Sequence, residues 1–493
     1  MMTNSDYTKS LKAALYCLAL SFFHPLNAFS ADCYFMAAQG YDIIRNGFTR
    51  AKDITTVHGF DFMHQKWAMC IDSYCTYTLF GQAGILIGTA MLFFVALFIF
   101  WLILDRLNPG EDAFNAFLLF VAAISLGFMV SFRPQMISLV CLLVFLVAME
   151  DMIQQPRKMH YAIFFGLSII VMWYHSTMWV MLLIFMLPYV FDLKILKKIP
   201  GCVNDKSASP LQLLLTFISI LLGSLFQPNG IHQYKYMYVC LTATSDIYKE
   251  LINELLPQLD SNANICIYLL ILSGVALMIK TKKYRLRGAY MMAGALIFSL
   301  TAYRLNFYAV ILACFGIAIN YQVQDFKLPK KTSRALLILI VSASCLWSLA
   351  VIDMTYIHRD RYDYRIEYAG KTAIDTLTKE VRPENTTLFC ATTDAGSYAI
   401  LQGYKVYFDC RAEVYDININ HKKDVLTEYN DILNGKYKNN TSLSYMKDFD
   451  DDYHFDYYVV HKEGGLIRQS LDAYARKIYQ DEYNAIYTFR AAD

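Results

Sequence analysis

Residues 83–104 read AGILIGTAMLFFVALFIFWLIL, a run without one charged side chain. About 17–25 apolar residues cross a bilayer as a helix, because in hydrocarbon every backbone amide must be satisfied within its own segment. The pattern recurs along the chain. Hydrophobic residues fill 56% of the 493 positions and charged residues 17%, more apolar surface than one soluble core of this length would use. Eleven spans are predicted, near 11–30, 83–104, 114–132, 136–150, 161–175, 177–193, 211–226, 264–280, 288–303, 305–321 and 335–352.

Orientation follows from the tendency of short cytoplasmic loops to collect Lys and Arg. Basic residues gather at Lys9 and Lys12, at Arg157 and Lys158, and at Lys194, Lys197, Lys198 and Lys206. They gather again at Lys280, Lys282, Lys283, Arg285 and Arg287, and at Lys327, Lys330, Lys331 and Arg334. All of these fall on one side of an eleven-span chain, which puts the amino terminus in the cytoplasm. Loops 31–82 and 227–263 and everything after 353 then lie outside, in or beyond a cytoplasmic (inner) membrane. A rival reading takes the first span as a cleavable signal peptide, with small residues at Ala28-Phe29-Ser30-Ala31. Net charge is only +2, so nothing points to a nucleic-acid partner.

Twelve cysteines show no CxxC or Cys/His spacing, which argues against a structural zinc site. Cys390 and Cys410 each close a predicted strand on the outer side, where disulfides persist. They either face each other or remain two buried thiols.

After residue 353 the composition turns to Asp, Tyr and Lys, and helical and extended patterns alternate. Helices are predicted at Ile366–Val381, Gly396–Leu401, His421–Leu433 and Leu466–Ala475. Strands are predicted at Thr387–Cys390, Lys405–Cys410, Tyr457–His461, Lys477–Tyr479 and Ala485–Phe489. The expected architecture is a polytopic α-helical membrane protein with a C-terminal extracytoplasmic α/β domain. The membrane domain would cover 1–353, including outer loop 31–82, and the α/β domain 354–493. In the outer loop, Tyr34, Phe35, Ala38, Tyr41, Ile43 and Ile44 suit a helix lying flat on the membrane. Gly47 would end it. A second helix is expected from Gln65 to Leu79, ahead of Gly81 and Gly84.

The order of these features resembles the GT-C glycosyltransferases, which include protein mannosyltransferases, lipid A aminoarabinose transferases and oligosaccharyltransferases. A first span is followed at once by an acid, in Ser30-Ala31-Asp32-Cys33-Tyr34, and then by an amphipathic helix ending at Gly47-Phe48. A helix opening His64-Gln65-Lys66-Trp67 and closing Leu79-Phe80-Gly81 follows, then a many-helix body and an α/β tail. The resemblance implies inverting transfer of a sugar from a polyprenyl-phosphate-linked donor to an extracytoplasmic glycan, lipid or protein acceptor, with membrane lipid as surroundings.

Such transfer needs a base that takes the acceptor's proton while phosphate leaves from the opposite face, and a carboxylate suits that role. Asp32 is the expected catalytic base. A lone carboxylate at the lipid–water boundary is partly desolvated, which makes it more basic, and the competing reading is a solvated interfacial Asp. The donor phosphate needs cations, and Arg offers a two-pronged fork. Arg133 in Phe132-Arg133-Pro134-Gln135 and Arg304 in Tyr303-Arg304-Leu305-Asn306 sit at outer turns between spans. Their alternative is snorkelling to headgroups. His175 and Lys66 are further donor-phosphate candidates, against a structural histidine and an interfacial anchor. Glu254, Asp409 and Arg411 are candidate acceptor contacts, with an internal Arg–carboxylate pair as the alternative for the last two. Many GT-C members carry a second acid near the third-to-fourth span turn, where this chain has Pro134-Gln135. No metal ligand is therefore assigned, although Glu250 and Glu254 leave a divalent metal open.

Two other functions compete with transfer. A lipid-linked sugar flippase or transporter would show repeats and Gly/Pro-broken helices and would not need the long outer tail. A noncatalytic envelope scaffold would tolerate loss of Asp32.

Overall fold

The computed structural model describes residues 4–22, 31–48, 55–61, 63–127, 129–242, 244–324, 329–353 and 370–490. Two compact units emerge. One comprises Met1–Ala28, Leu86–Gly230 and Ile252–Ile357; the other comprises Phe29–Ile85, Ile231–Leu251 and His358–Asp493. The expected division at 353 placed the outer loop with the membrane body. By contacts, 29–85 and 231–251 group instead with the tail.

Among the described residues each predicted apolar run overlaps a helix, from Asn4–Ser21 to Lys330–Ile352. Among the described residues six helices are long and apolar enough to cross a membrane: Trp67–Leu107, Pro134–Gln154, Lys158–Met178, Asn262–Thr281, Tyr303–Tyr321 and Lys330–Ile352. Four shorter apolar helices, Asp112–Gly127, Val180–Val190, Pro210–Ser224 and Leu286–Thr301, take up other predicted spans. The chain is thus a multi-pass membrane protein; among the described residues six helices meet the length criterion, against eleven expected spans. Positions 28–30 of the cleavage-site reading lie outside the described residues.

Burial separates the centre of this unit from its rim. Every residue of Asn306–Tyr321 is buried, whereas only 17% of the apolar stretch of Lys330–Ile352 is. The central helix packs on Leu286–Thr301 through glycines: a Cβ on Gly288 would lie 2.8 Å from the Gly316 carbonyl oxygen. Small residues are the usual means by which helices in lipid approach backbone to backbone.

At the end of this unit read as cytoplasmic, the basic residues do not all sit free in loops. The Arg287 guanidinium is buried and grips Glu150 with two bonds of 2.9 and 3.1 Å. It also donates to Asp205 at 2.7 Å. Lys197 pairs with Asp205 at 2.6 Å and Asp192 at 3.2 Å, and Arg285 pairs with Asp205 at 3.0 Å. Three cations and three carboxylates balance, as buried charge requires.

The second unit is built on a five-stranded sheet of β1 (Thr387–Cys390), β2 (Lys405–Val406), β3 (Tyr457–His461), β4 (Arg476–Gln480) and β5 (Asn484–Thr488). Their order is β2-β1-β3-β5-β4. β1 runs parallel to β2 and β3, and β5 is antiparallel to β3 and β4. The predicted strand Lys405–Cys410 is cut to two residues. Beyond β2's outer side, Thr56 of the first outer loop forms a parallel bridge with Val406. The helix predicted from Ile366 begins at Lys371 among the described residues.

Helix Ala31–Asn46 packs on the tail helix Thr393–Leu401, with the Tyr34 and Tyr398 rings 5.0 Å apart. Tyr34 and Ala38 join the same core as Leu388, Val406 and Ile486. The greasy face read as membrane-facing is therefore divided: these two face the tail, Phe35 and Ile43 are buried, and Tyr41 and Ile44 are exposed. All twelve cysteines are free thiols, Cys390 and Cys410 included.

Candidate functional site

Pro134 fixes the start of helix Pro134–Gln154, because its preset φ and missing N–H suit the first helical position. The residue before a proline is pushed out of the helical region, and Arg133 is extended, at φ −131° and ψ 158°. Its guanidinium therefore leaves from a rigid N-cap. Arg304 lies in the three-residue turn Tyr303–Leu305 between helices Leu286–Thr301 and Asn306–Tyr321. Glu254 lies in a similar turn, Asn253–Leu255. The Tyr303 amide donates to the Leu256 carbonyl at 3.0 Å and fastens the two turns together.

These three side chains converge. Arg133 Nη1 donates to Glu254 Oε1 at 3.0 Å, and Arg304 Nε donates to Glu254 Oε2 at 3.4 Å. The two arginines expected to hold phosphate share one carboxylate, the one read as an acceptor contact. All three side chains keep access to solvent, at 22%, 29% and 39% for Arg133, Arg304 and Glu254.

His175 is buried at the end of helix Lys158–His175, with Nδ1 3.0 Å from Ser138 Oγ. Ser138 Oγ also lies within hydrogen-bond distance of the Pro134 carbonyl, at 3.2 Å. The histidine thus braces the helical turn that carries Arg133.

In the second unit Asp32 occupies the first turn of Ala31–Asn46. A Cβ on Gly40 would stand 2.0 Å from the Cys70 carbonyl oxygen, so only glycine allows this helix to lie against the one opening at Trp67. That helix continues to Leu107, with a non-helical Gly81 at φ 59°. Phe48 and Trp67 rings meet edge to face at 4.8 Å. Lys66 Nζ lies 5.3 Å from the centre of the Phe35 ring. Asp32, Lys66 and Arg411 are all within electrostatic reach of the Cys70 thiol. Burial pushes the Cys410 thiol well above its ordinary value, and the charges of Asp32, Asp409 and Asp394 add to that.

Asp409 and Arg411 form an internal pair. Both are buried, and Arg411 Nε and Nη2 donate to the Asp409 carboxylate at 2.5–3.1 Å. Tyr415 adds its hydroxyl to Asp409 at 2.7 Å, and Arg411 Nη2 reaches Thr55 Oγ1 at 2.8 Å. Their polar atoms join the tail to the segment around Thr55. The nearby Asp416 accepts from the Ser245 amide and hydroxyl at 2.8 and 3.0 Å, which ties in the other outer segment.

Among the described residues no group of three or more His, Cys, Asp or Glu is arranged to hold a metal ion. Beside the Arg133 turn, Gln135 is neutral, its buried Oε1 without a protein hydrogen-bond partner, and Glu254 already faces two arginines. Sequence reading missed the Arg287 network, although an acid at the end of one apolar run and a base at the start of another signalled it. It also missed that Glu254 partners the arginines, which no local pattern reveals.

By sequence, no protein-family model and no curated protein matches the chain. Solved structures do. ArnT from Cupriavidus metallidurans in the apo state is similar over 98% of this chain and 97% of its own, at a TM-score of 0.53 and 10% identity. The same protein bound to undecaprenyl phosphate is similar over 100% and 99%, at 0.52 and 10%. The Archaeoglobus fulgidus oligosaccharyltransferase in its apo form is similar over 99% of this chain and 74% of its own, at 0.50 and 11%. Near-complete coverage shows a shared fold: the chain has the fold of these ArnT and oligosaccharyltransferase structures.

Proposed function

We propose that the protein transfers a sugar from a polyprenyl-phosphate-linked donor to an acceptor on the outer side of the membrane. The amino terminus is cytoplasmic and the tail extracytoplasmic in this reading. The observation that carries it is the meeting of Arg133 and Arg304, from two separate turns, on one anionic group. A pair of solvent-accessible guanidinium groups held that way is built to receive an anion, and a phosphate is a better partner than a carboxylate. The fold shared with a structure that contains undecaprenyl phosphate supports a lipid-linked substrate.

In this scheme Asp32 takes the proton of the acceptor hydroxyl or amide. The freed acceptor atom bonds the anomeric carbon, the anomeric carbon–oxygen bond breaks, and its electron pair stays on the departing phosphate. Attack from the face opposite the leaving group inverts the anomeric centre. Arg133 and Arg304 stabilise the charge that grows on the phosphate oxygen. Lys66 adds a cation in the neighbourhood of Asp32. Asp409 and Arg411 hold the tail to the outer loop, and His175 holds the turn of Arg133.

Asp32→Asn keeps size and removes the base. General-base catalysis is worth roughly 10²- to 10⁴-fold, so consumption of a polyprenyl-phosphate-linked sugar by the purified variant is expected to drop by about that factor. Consumption at the wild-type rate would show that Asp32 is not the base. Mass spectrometry of envelope glycans with and without the gene identifies the sugar and the acceptor.

A further inference from the structure

We infer that Glu254 is a tethered competitor of the lipid phosphate, one that occupies the Arg133–Arg304 fork before donor arrives and re-enters it to expel the phosphate product. The inference rests on the phosphate role proposed above for the two arginines.

Accessibility separates this fork from the two buried arginine–carboxylate groups described above. Arg411 with Asp409 and Arg287 with Glu150 are buried, their arginine side chains 1% exposed. Pulling either apart would strand a bare charge away from water, which fixes them as permanent pairs. Glu254 is 39% exposed between arginines that are 22% and 29% exposed. Its carboxylate exchanges from guanidinium to water without that penalty, and half-exposed pairs of this kind are held by little net energy. It also stays close after leaving, because the Leu256 carbonyl is pinned to Tyr303, the neighbour of Arg304. A group tethered so closely competes at an effective concentration on the order of millimolar.

Charge then decides the direction of exchange. Two guanidinium groups and one carboxylate leave the fork with a single positive charge. The donor is a phosphodiester with one negative charge. When the anomeric carbon–oxygen bond breaks, the phosphate keeps the electron pair and becomes a monoester that carries up to two. The arginines therefore hold the product more tightly than the donor, which favours the transition state but slows release. A tethered carboxylate that retakes both arginines relieves this without a large motion.

The test uses the full-length protein in detergent, with citronellyl phosphate as the monoester probe. Glu254→Gln is expected to bind it about tenfold more tightly than wild type and to slow steady-state turnover while leaving the first turnover fast. Glu254→Asp keeps the charge and should bind it within about twofold of wild type. Unchanged or weaker binding in Glu254→Gln overturns the inference, as does tightening in Glu254→Asp equal to that in Glu254→Gln. The underlying reading is tested separately: if Arg133→Gln and Arg304→Gln bind citronellyl phosphate as well as wild type does, the fork is no phosphate site.

Discussion

Asp409 shows how one residue's role is set by what surrounds it. Its carboxylate accepts from the side chains of Arg411 and Tyr415 and from the Arg411 backbone amide, at 2.5–3.1 Å. Removing one member of a buried ion pair typically costs about 3–5 kcal/mol, because the other charge remains without a partner. Asp409→Ala is therefore expected to lower stability by about that amount in detergent thermal unfolding. Adding Arg411→Leu to it should restore part of the loss; a double variant less stable than the single one would mean the two side chains act separately. The sequence Asp409-Cys410-Arg411 left ligand contact and internal pairing open. What decides between them is Thr55 and Tyr415, and proximity to a distant loop residue is written nowhere in the local pattern. The reading of Asp32 as a base rests instead on its place directly after an apolar run, and Asp32→Asn is its test.

At the scale of elements, period and punctuation carried most of the information. The strand limits of β1 and β3 were readable from short β-branched and aromatic runs between turn residues. Helix Tyr445–Tyr453 was not, because Asp448, Asp450, Asp451 and Asp452 mask the apolar stripe of Tyr445, Met446 and Phe449. Charge also hid the tie between helix Leu286–Thr301 and the loop at Asp205. Positive loops were read as topology signals, whereas Lys197, Arg285 and Arg287 have specific acidic partners. Burial alone would raise the Asp205 carboxyl, but Arg287 and Lys197 outweigh it and hold it below the usual 3.8. A depressed carboxyl contributes stability that is fully present above its ordinary value and is lost as pH falls through the folded one. Melting temperature in detergent should thus fall as pH drops below that value, and Asp205→Asn should be less stable at neutral pH with a shallower acid loss. Parallel acid curves for the two proteins would remove Asp205 from the account.

For the whole molecule, composition sufficed to recognise a multi-pass membrane protein, and the order of apolar runs, outer loop and α/β tail sufficed for the fold. The grouping of 29–85 and 231–251 with the tail was not legible. It depends on Gly40 allowing a close helix pair and on Asp416 receiving Ser245, neither of which has a sequence signature. The proposed orientation is open to direct measurement. With the native thiols replaced, a single cysteine placed near Asn439 should react with a membrane-impermeant maleimide in intact cells. Labelling only after lysis would reverse the topology.

The bridge between Thr56 and Val406 has a consequence for how the chain reaches its folded state. An uncovered strand edge invites pairing with other chains. The tail guards one edge with Arg476 and Lys477 on the exposed β4, but β2 borrows its cover from a segment several hundred residues upstream. Synthesis runs from the amino terminus, so that cover has been made long before β2 is. The tail is thus completed on a partner segment already waiting for it, and a tail produced alone would carry a bare edge.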